Sequence, residues 1–179
     1  SEVIRNRREA GRIARAAGSL IAAASTHPFS NWEEQEISPG ARYAQLLEKL
    51  AADAHEQGGA VIVLLGNHET MNVDEDFRYV TPGGWVDFED VPHSSEDPKL
   101  ATYLSTERGR VAAFLPGGPY AKLLSTHKIA VLVGDTLFVH GGLLPHHAAM
   151  GLEAINEPFG AWMAGTGPRP ELTTSDDSP

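Results

Sequence analysis

The chain has 179 residues, 41% hydrophobic and 21% charged, which gives room for one domain with an ordinary core and excludes a disordered polar chain. A formal net charge of -10 argues against nucleic acid as a partner, and no apolar run reaches the roughly 20 residues that cross a bilayer. There is no cysteine, so a disulfide framework, a thiolate zinc site and a cysteine nucleophile are all excluded.

The first residue is Ser1 in place of Met, which implies a processed, excised or incomplete start. Arg5, Arg7, Arg8, Arg12 and Arg15 crowd the first turns, but Glu2 and Glu9 speak against a transit peptide and for a solvated basic face. Ile13, Ala16, Ala17, Leu20 and Ile21 recur at helical spacing, which predicts a helix over Val3–Ala24. Ser25–Pro39 reads as a connector, with Ser38 as N-cap and Pro39 at the first helical position. Tyr43, Leu46, Leu47, Leu50, Ala51 and Ala54 form one apolar stripe, so Arg42–Gln57 is a helix that packs this face on a sheet. Gly58-Gly59 ends it, because glycine takes the left-handed terminal conformation without a Cβ penalty.

Ala60–Leu65 follows as an unbroken apolar run between glycines, the pattern of a buried strand. Thr81–Pro98 is rich in Pro, Gly, Asp and Glu and predicts a long surface excursion. Leu100–Leu115 reads as helical up to the Pro116-Gly117-Gly118-Pro119 break. Ile129–Val133 and Thr136–Val139 flank Gly134-Asp135, which predicts a β-hairpin with a type II′ turn. Ala148–Met163 carries helical periodicity interrupted by Pro158 and Gly160, and Gly165–Pro179 is a loop or tail. The expected division is 1–38 as an N-terminal helix and connector, 39–165 as the domain, and 166–179 as tail.

Two short motifs carry chemistry. Gly66-Asn67-His68-Glu69 follows a buried strand directly, where α/β layers place ligands. Asn67 offers a neutral oxygen to a divalent ion, His68 can act as a general acid near neutral pH, and Glu69 can fix a neighbouring ring or backbone group. His140-Gly141-Gly142 ends the second hairpin strand and presents an imidazole suited to a metal. His55, His93, His127, His146 and His147 are read as structural or surface residues.

Leu65–Glu69, Met71-Asn72-Val73, Asp76-Phe77-Arg78-Tyr79, Arg108-Gly109-Arg110, Pro116–Pro119, Gly134–Pro145 and Ile155-Asn156-Glu157 together resemble the calcineurin-like metallophosphoesterases. The nearest group is the Shewanella-like protein phosphatases. The resemblance runs from about Arg42 onward. It implies an α/β fold, here an incomplete metallophosphoesterase β-sandwich flanked by helices in α/β/β/α layers. It also implies two divalent metal ions (Mn, Fe or Zn), with Asn67 and His140 as ligands and His68 protonating the leaving group. The implied substrates are phosphoproteins or small phosphomonoesters, with no nucleic acid and no membrane as partner, in a soluble protein of the cytoplasm or a plastid. The family's Asp-x-His pair after a first strand and its Gly-Asp-x-x-Asp-Arg-Gly segment do not precede Gly66. The chain alone is therefore expected to be a poor catalyst. Two alternatives stand beside this reading: a non-catalytic remnant of such a domain, and a nucleotidase or diadenosine polyphosphate hydrolase.

Overall fold

The computed structural model of this chain describes residues 20–23, 39–56 and 58–171. Strand β1, Leu20–Ala23, pairs in parallel with β2, Val61–Leu64, in the register Leu20 to Val61 through Ala23 to Leu64. A helix was the expectation over Val3–Ala24; its last part is corrected to strand, and the remainder lies outside the described residues. Leu-Ile-Ala-Ala is apolar at every position, a pattern that a helix and a buried strand satisfy equally. Pairing with β2 decides between them.

Helix α1, Pro39–Glu56, starts at the proline that cannot donate a hydrogen bond within it, while Ser38 lies outside the described residues. It ends as its glycines require. Gly58 has φ 74°, its N–H donates to His55 O at 3.0 Å, and Gly59 N–H donates to Ala54 O at 2.7 Å. The helix packs on β2, as its stripe predicts, but with a rotated face. Leu47, Glu48, Ala51 and Ala54 are half-buried, whereas Leu50 is 40% exposed. The reason is a polar contact: the Glu48 carboxylate bonds Nε2 of buried His127 at 2.5 Å, which draws that side of the helix inward.

The chain then turns into α2, Asn67–Val73, and α3, Pro82–Val86, the latter capped by Thr81 Oγ1 accepting from Gly84 N–H. The excursion expected over Thr81–Pro98 is therefore only partly surface. Phe88 is 1% exposed and meets Phe114 and Tyr120 with ring centres 5.2 Å away in each case. Leu100–Leu115 divides into a 3₁₀ turn, Leu100–Thr102, and α4, Arg108–Phe114. Helix α5, Pro119–Leu124, follows a sharp break at Gly118, where an added Cβ would lie 2.3 Å from Ala112 O.

The hairpin forms as expected. Strands β3, Ala130–Val133, and β4, Thr136–Val139, pair antiparallel with Val133 opposite Thr136. Gly134 has φ 65° and Asp135 does not share its positive φ, which is the type II′ signature. Helices α6, Pro145–Met150, and α7, Leu152–Met163, close the described chain. Helix α7 runs unbroken through Pro158 and Gly160 where an interruption was expected. Gly160 serves packing instead: its Cβ would stand 3.1 Å from Ser125 O, so the bare backbone lets α7 lie close to the end of α5.

The described residues thus form a mixed α/β fold with two two-stranded sheets, linked by a single bridge between Leu64 and Lys128. The core is largely helical, formed by Val73, Phe88, Phe114, Tyr120, Leu124, Trp162 and Met163 among others. A metallophosphoesterase sandwich in α/β/β/α layers is not shown. The layers implied by the resemblance give way to a helical core because most of the large buried side chains come from helices and the segment between them. Among the described residues, no helix is long and apolar enough to cross a membrane.

Candidate functional site

Strand β2 delivers Gly66, which has an extended conformation and precedes α2. Leu65 N–H is held by Lys128 O at 2.8 Å, so the exit from β2 is tied to the approach to β3. Gly66 N–H donates to Glu69 Oε2 at 2.7 Å, and Glu69 is 1% exposed. This single contact ties down the first turn of α2, and Asn67 lies on the surface. Asn67 directs its amide toward Met71 Sδ at 4.0 Å. His68 is half-buried and meets Tyr79 edge-on, with ring centres 5.3 Å apart.

His140 leaves the end of β4 exposed, and its ring lies against Gly66. A Cβ built on Gly66 would stand 3.1 Å from both Cδ2 and Nε2 of His140 and 2.8 Å from Glu69 Oε2. The two motifs therefore meet across a glycine that has no room for a side chain. This brings His140 beside the residue preceding Asn67 and His68.

Behind this face lies a network that motif reading missed. Asn72, 4% exposed, donates from Nδ2 to His68 O at 2.6 Å. Its Oδ1 accepts from Arg110 Nε at 2.9 Å, and Arg110 Nη1 donates to Gly84 O at 2.8 Å. Arg110 is 3% exposed, and burial pushes its pKa down to about 10 against the favourable charges of Asp87 and Glu69. Burial also pushes the Tyr120 phenol up from its ordinary value, with Arg110 pulling the other way. The available signal was an arginine within the apolar turn Arg108–Phe114, on the face shared with Val111 and Phe114.

His127 is buried on Glu48, and His93 is exposed with Nδ1 at 2.8 Å from Val91 O. His146 and His147 contact each other with ring centres 4.0 Å apart.

Asn67 and His140 are two neutral donors, and among the described residues no group of three or more His, Cys, Asp or Glu able to hold a metal occurs.

The glutamate-cysteine ligase family 2 model matches residues 1–79, fewer than half of the chain. A protein of Herpetosiphon aurantiacus with the provisional name glutamate–cysteine ligase 2 is 38% identical over 68 residues, 38% of this chain and 16% of that protein. A Sorangium cellulosum protein of the same name is 43% identical over 49 residues, 27% of this chain and 13% of its own length. Shewanella-like protein phosphatase 2 of Arabidopsis thaliana is 38% identical over 148 residues, 66% of this chain and 37% of the plant protein. The chain thus spans little more than a third of that relative. No solved structure matches it.

These matches correct the calcineurin-like assignment. The ligase family model takes in β1, α1, β2 and the Gly66-Asn67-His68-Glu69 motif itself, so that motif does not single out a phosphoesterase. The hydrolytic function and the phosphoprotein or phosphomonoester substrates fall with it. The physical reason is the brevity of the motif: four residues after a strand describe a local turn, and the turn is shared by unlike chemistries.

Proposed function

We propose that the chain is part of a ligase of the glutamate–cysteine type, which joins a glutamate carboxyl carbon to the cysteine amine. The observation that carries this reading is the family match over residues 1–79, supported by the bacterial relatives of the same name. A carboxylate does not condense with an amine unaided in water. The oxygen lost from the carboxylate must leave as a better leaving group, which a nucleoside triphosphate co-substrate can supply.

The face at Gly66 offers groups suited to holding and deprotonating amino acids. The parallel strands β1 and β2 run side by side toward it, and ligands in such layers sit beyond the carboxyl ends of strands. Asn67 is an exposed amide able to bond a substrate carboxylate or ammonium group. His68, steadied by Tyr79, takes the proton that the attacking amine must lose. His140 lines the opposite side of Gly66. A divalent ion held by Asn67 and His140 would draw its other ligands from outside the described residues.

The test incubates the purified protein with glutamate, cysteine and magnesium ATP and measures the dipeptide by mass spectrometry. Dipeptide formation is expected, with His68→Ala lowering the rate by about 10²–10⁴-fold if it moves the proton. Absence of any amide product, or Mn²⁺-dependent release of phosphate from an aryl phosphate in its place, overturns the reading.

A further inference from the structure

We propose that Arg110 is a positioning residue for the Asn67–His68 face, acting through the side chain of Asn72; the inference rests on reading that face as functional. Arg110 projects from α4 with its guanidinium carbon 4.7 Å from the Phe88 ring centre and 4.8 Å from that of Phe114. The two rings touch each other with centres 5.2 Å apart, so the planar cation lies against the pair and its N–H groups are confined to a narrow range of directions. One direction meets Gly84 O at 2.8 Å and another meets Asn72 Oδ1 at 2.9 Å.

The consequence falls on Asn72. An amide has one oxygen and one NH₂, and with Oδ1 committed to a donor it cannot flip. Its Nδ2 is then obliged to face the His68 carbonyl, which it reaches at 2.6 Å. Helix α2 has seven residues, too few to hold its own geometry without tertiary support. Two contacts provide that support, one on each side of His68: Glu69 to Gly66 N–H in front, and Arg110 through Asn72 behind. Both are buried, so water does not compete for them.

A residue that merely packed against Phe88 and Phe114 would leave His68 unmoved when replaced by an apolar side chain of similar length. The test is NMR of the whole chain with Arg110→Met, Arg110→Lys, Asn72→Ala and the double variant Arg110→Met/Asn72→Ala. The readouts are the His68 ring signals and the Gly66 amide, with the exposed His55 ring near the end of α1 as a control. Arg110→Met and Asn72→Ala are each expected to shift the His68 and Gly66 signals and leave His55 in place. The double variant is expected to shift them no further than Asn72→Ala alone, because both act along one chain of bonds. Arg110→Lys, with a donor but no rigid fork, is expected to fall between Met and wild type.

If Arg110→Met does not fold, Asn72→Ala keeps the rings and the guanidinium and carries the test. A folded Asn72→Ala or Arg110→Met protein with His68 at its wild-type position overturns the proposal. The readout is His68 itself, so a failure of ligation by the wild type bears on the proposed reaction and not on this result.

Discussion

Tyr120 shows at the residue scale how burial writes itself into pH dependence. It is 8% exposed, packed against both Phe88 and Phe114, and burial holds its phenol above the ordinary value. The folded state therefore keeps the proton at a pH where the unfolded chain has released it. The stability from the neutral phenol is present below about pH 10, the unfolded value, and is lost as pH rises above it. Wild type is expected to lose stability relative to Tyr120→Phe between pH 9 and pH 11, by at most about 1.4 kcal/mol per unit above the unfolded pKa. Urea midpoints of the two proteins across that range check this, and parallel curves would place the phenol in contact with solvent. Arg110 beside it was not legible as a network member, because its partner Asn72 is 38 residues away and only the folded chain brings them together.

Elements whose signals are local were legible, and those decided by distant partners were not. The glycine end of α1 and the II′ turn of the hairpin each rest on a few adjacent residues whose conformation glycine alone adopts at no cost. The rotation of α1 rests on the Glu48–His127 contact across 79 residues, which no periodicity within the helix can report. A stripe of Leu and Ala shows that some face is covered, and the partner decides which. Leu50→Ala is accordingly expected to cost under about 1 kcal/mol, since much of its side chain already meets water. Leu124→Ala, at 1% exposure in the helical core, should cost about 2–5 kcal/mol. Chemical denaturation of the two variants measures the contrast, and equal losses would restore Leu50 to the core and undo the rotated packing of α1.

For the whole molecule, the question is how the hairpin that presents His140 is held in place beside Gly66. The two sheets share one bridge at Leu64 and Lys128, too little to fix their relative position. A side chain supplies the rest. Asn156 on α7 accepts from Ile129 N–H at 2.8 Å and from Ala130 N–H at 3.1 Å, and donates to Ala130 O at 2.9 Å. One amide thus mimics a neighbouring strand and joins β3 to the helical core. The candidate face was legible as two motifs, but the amide that brings them together lies in neither. Its place beside Ile155, which is 2% exposed, is set by α7 packing on β3. Asn156→Ala removes three hydrogen bonds and is expected to cost about 2–4 kcal/mol, at about 1 kcal/mol each with part of the strand edge left unpaired. Asn156→Asp keeps the two acceptor contacts and loses the donor, so its cost should be smaller. Both losses should be accompanied by a shift of the His140 ring signal, because β4 follows β3 through a two-residue turn and carries His140 at its end. A destabilised Asn156→Ala protein in which His140 keeps its wild-type signal would mean that the hairpin is positioned by β2 alone, through Lys128, and that α7 contributes stability without setting the site.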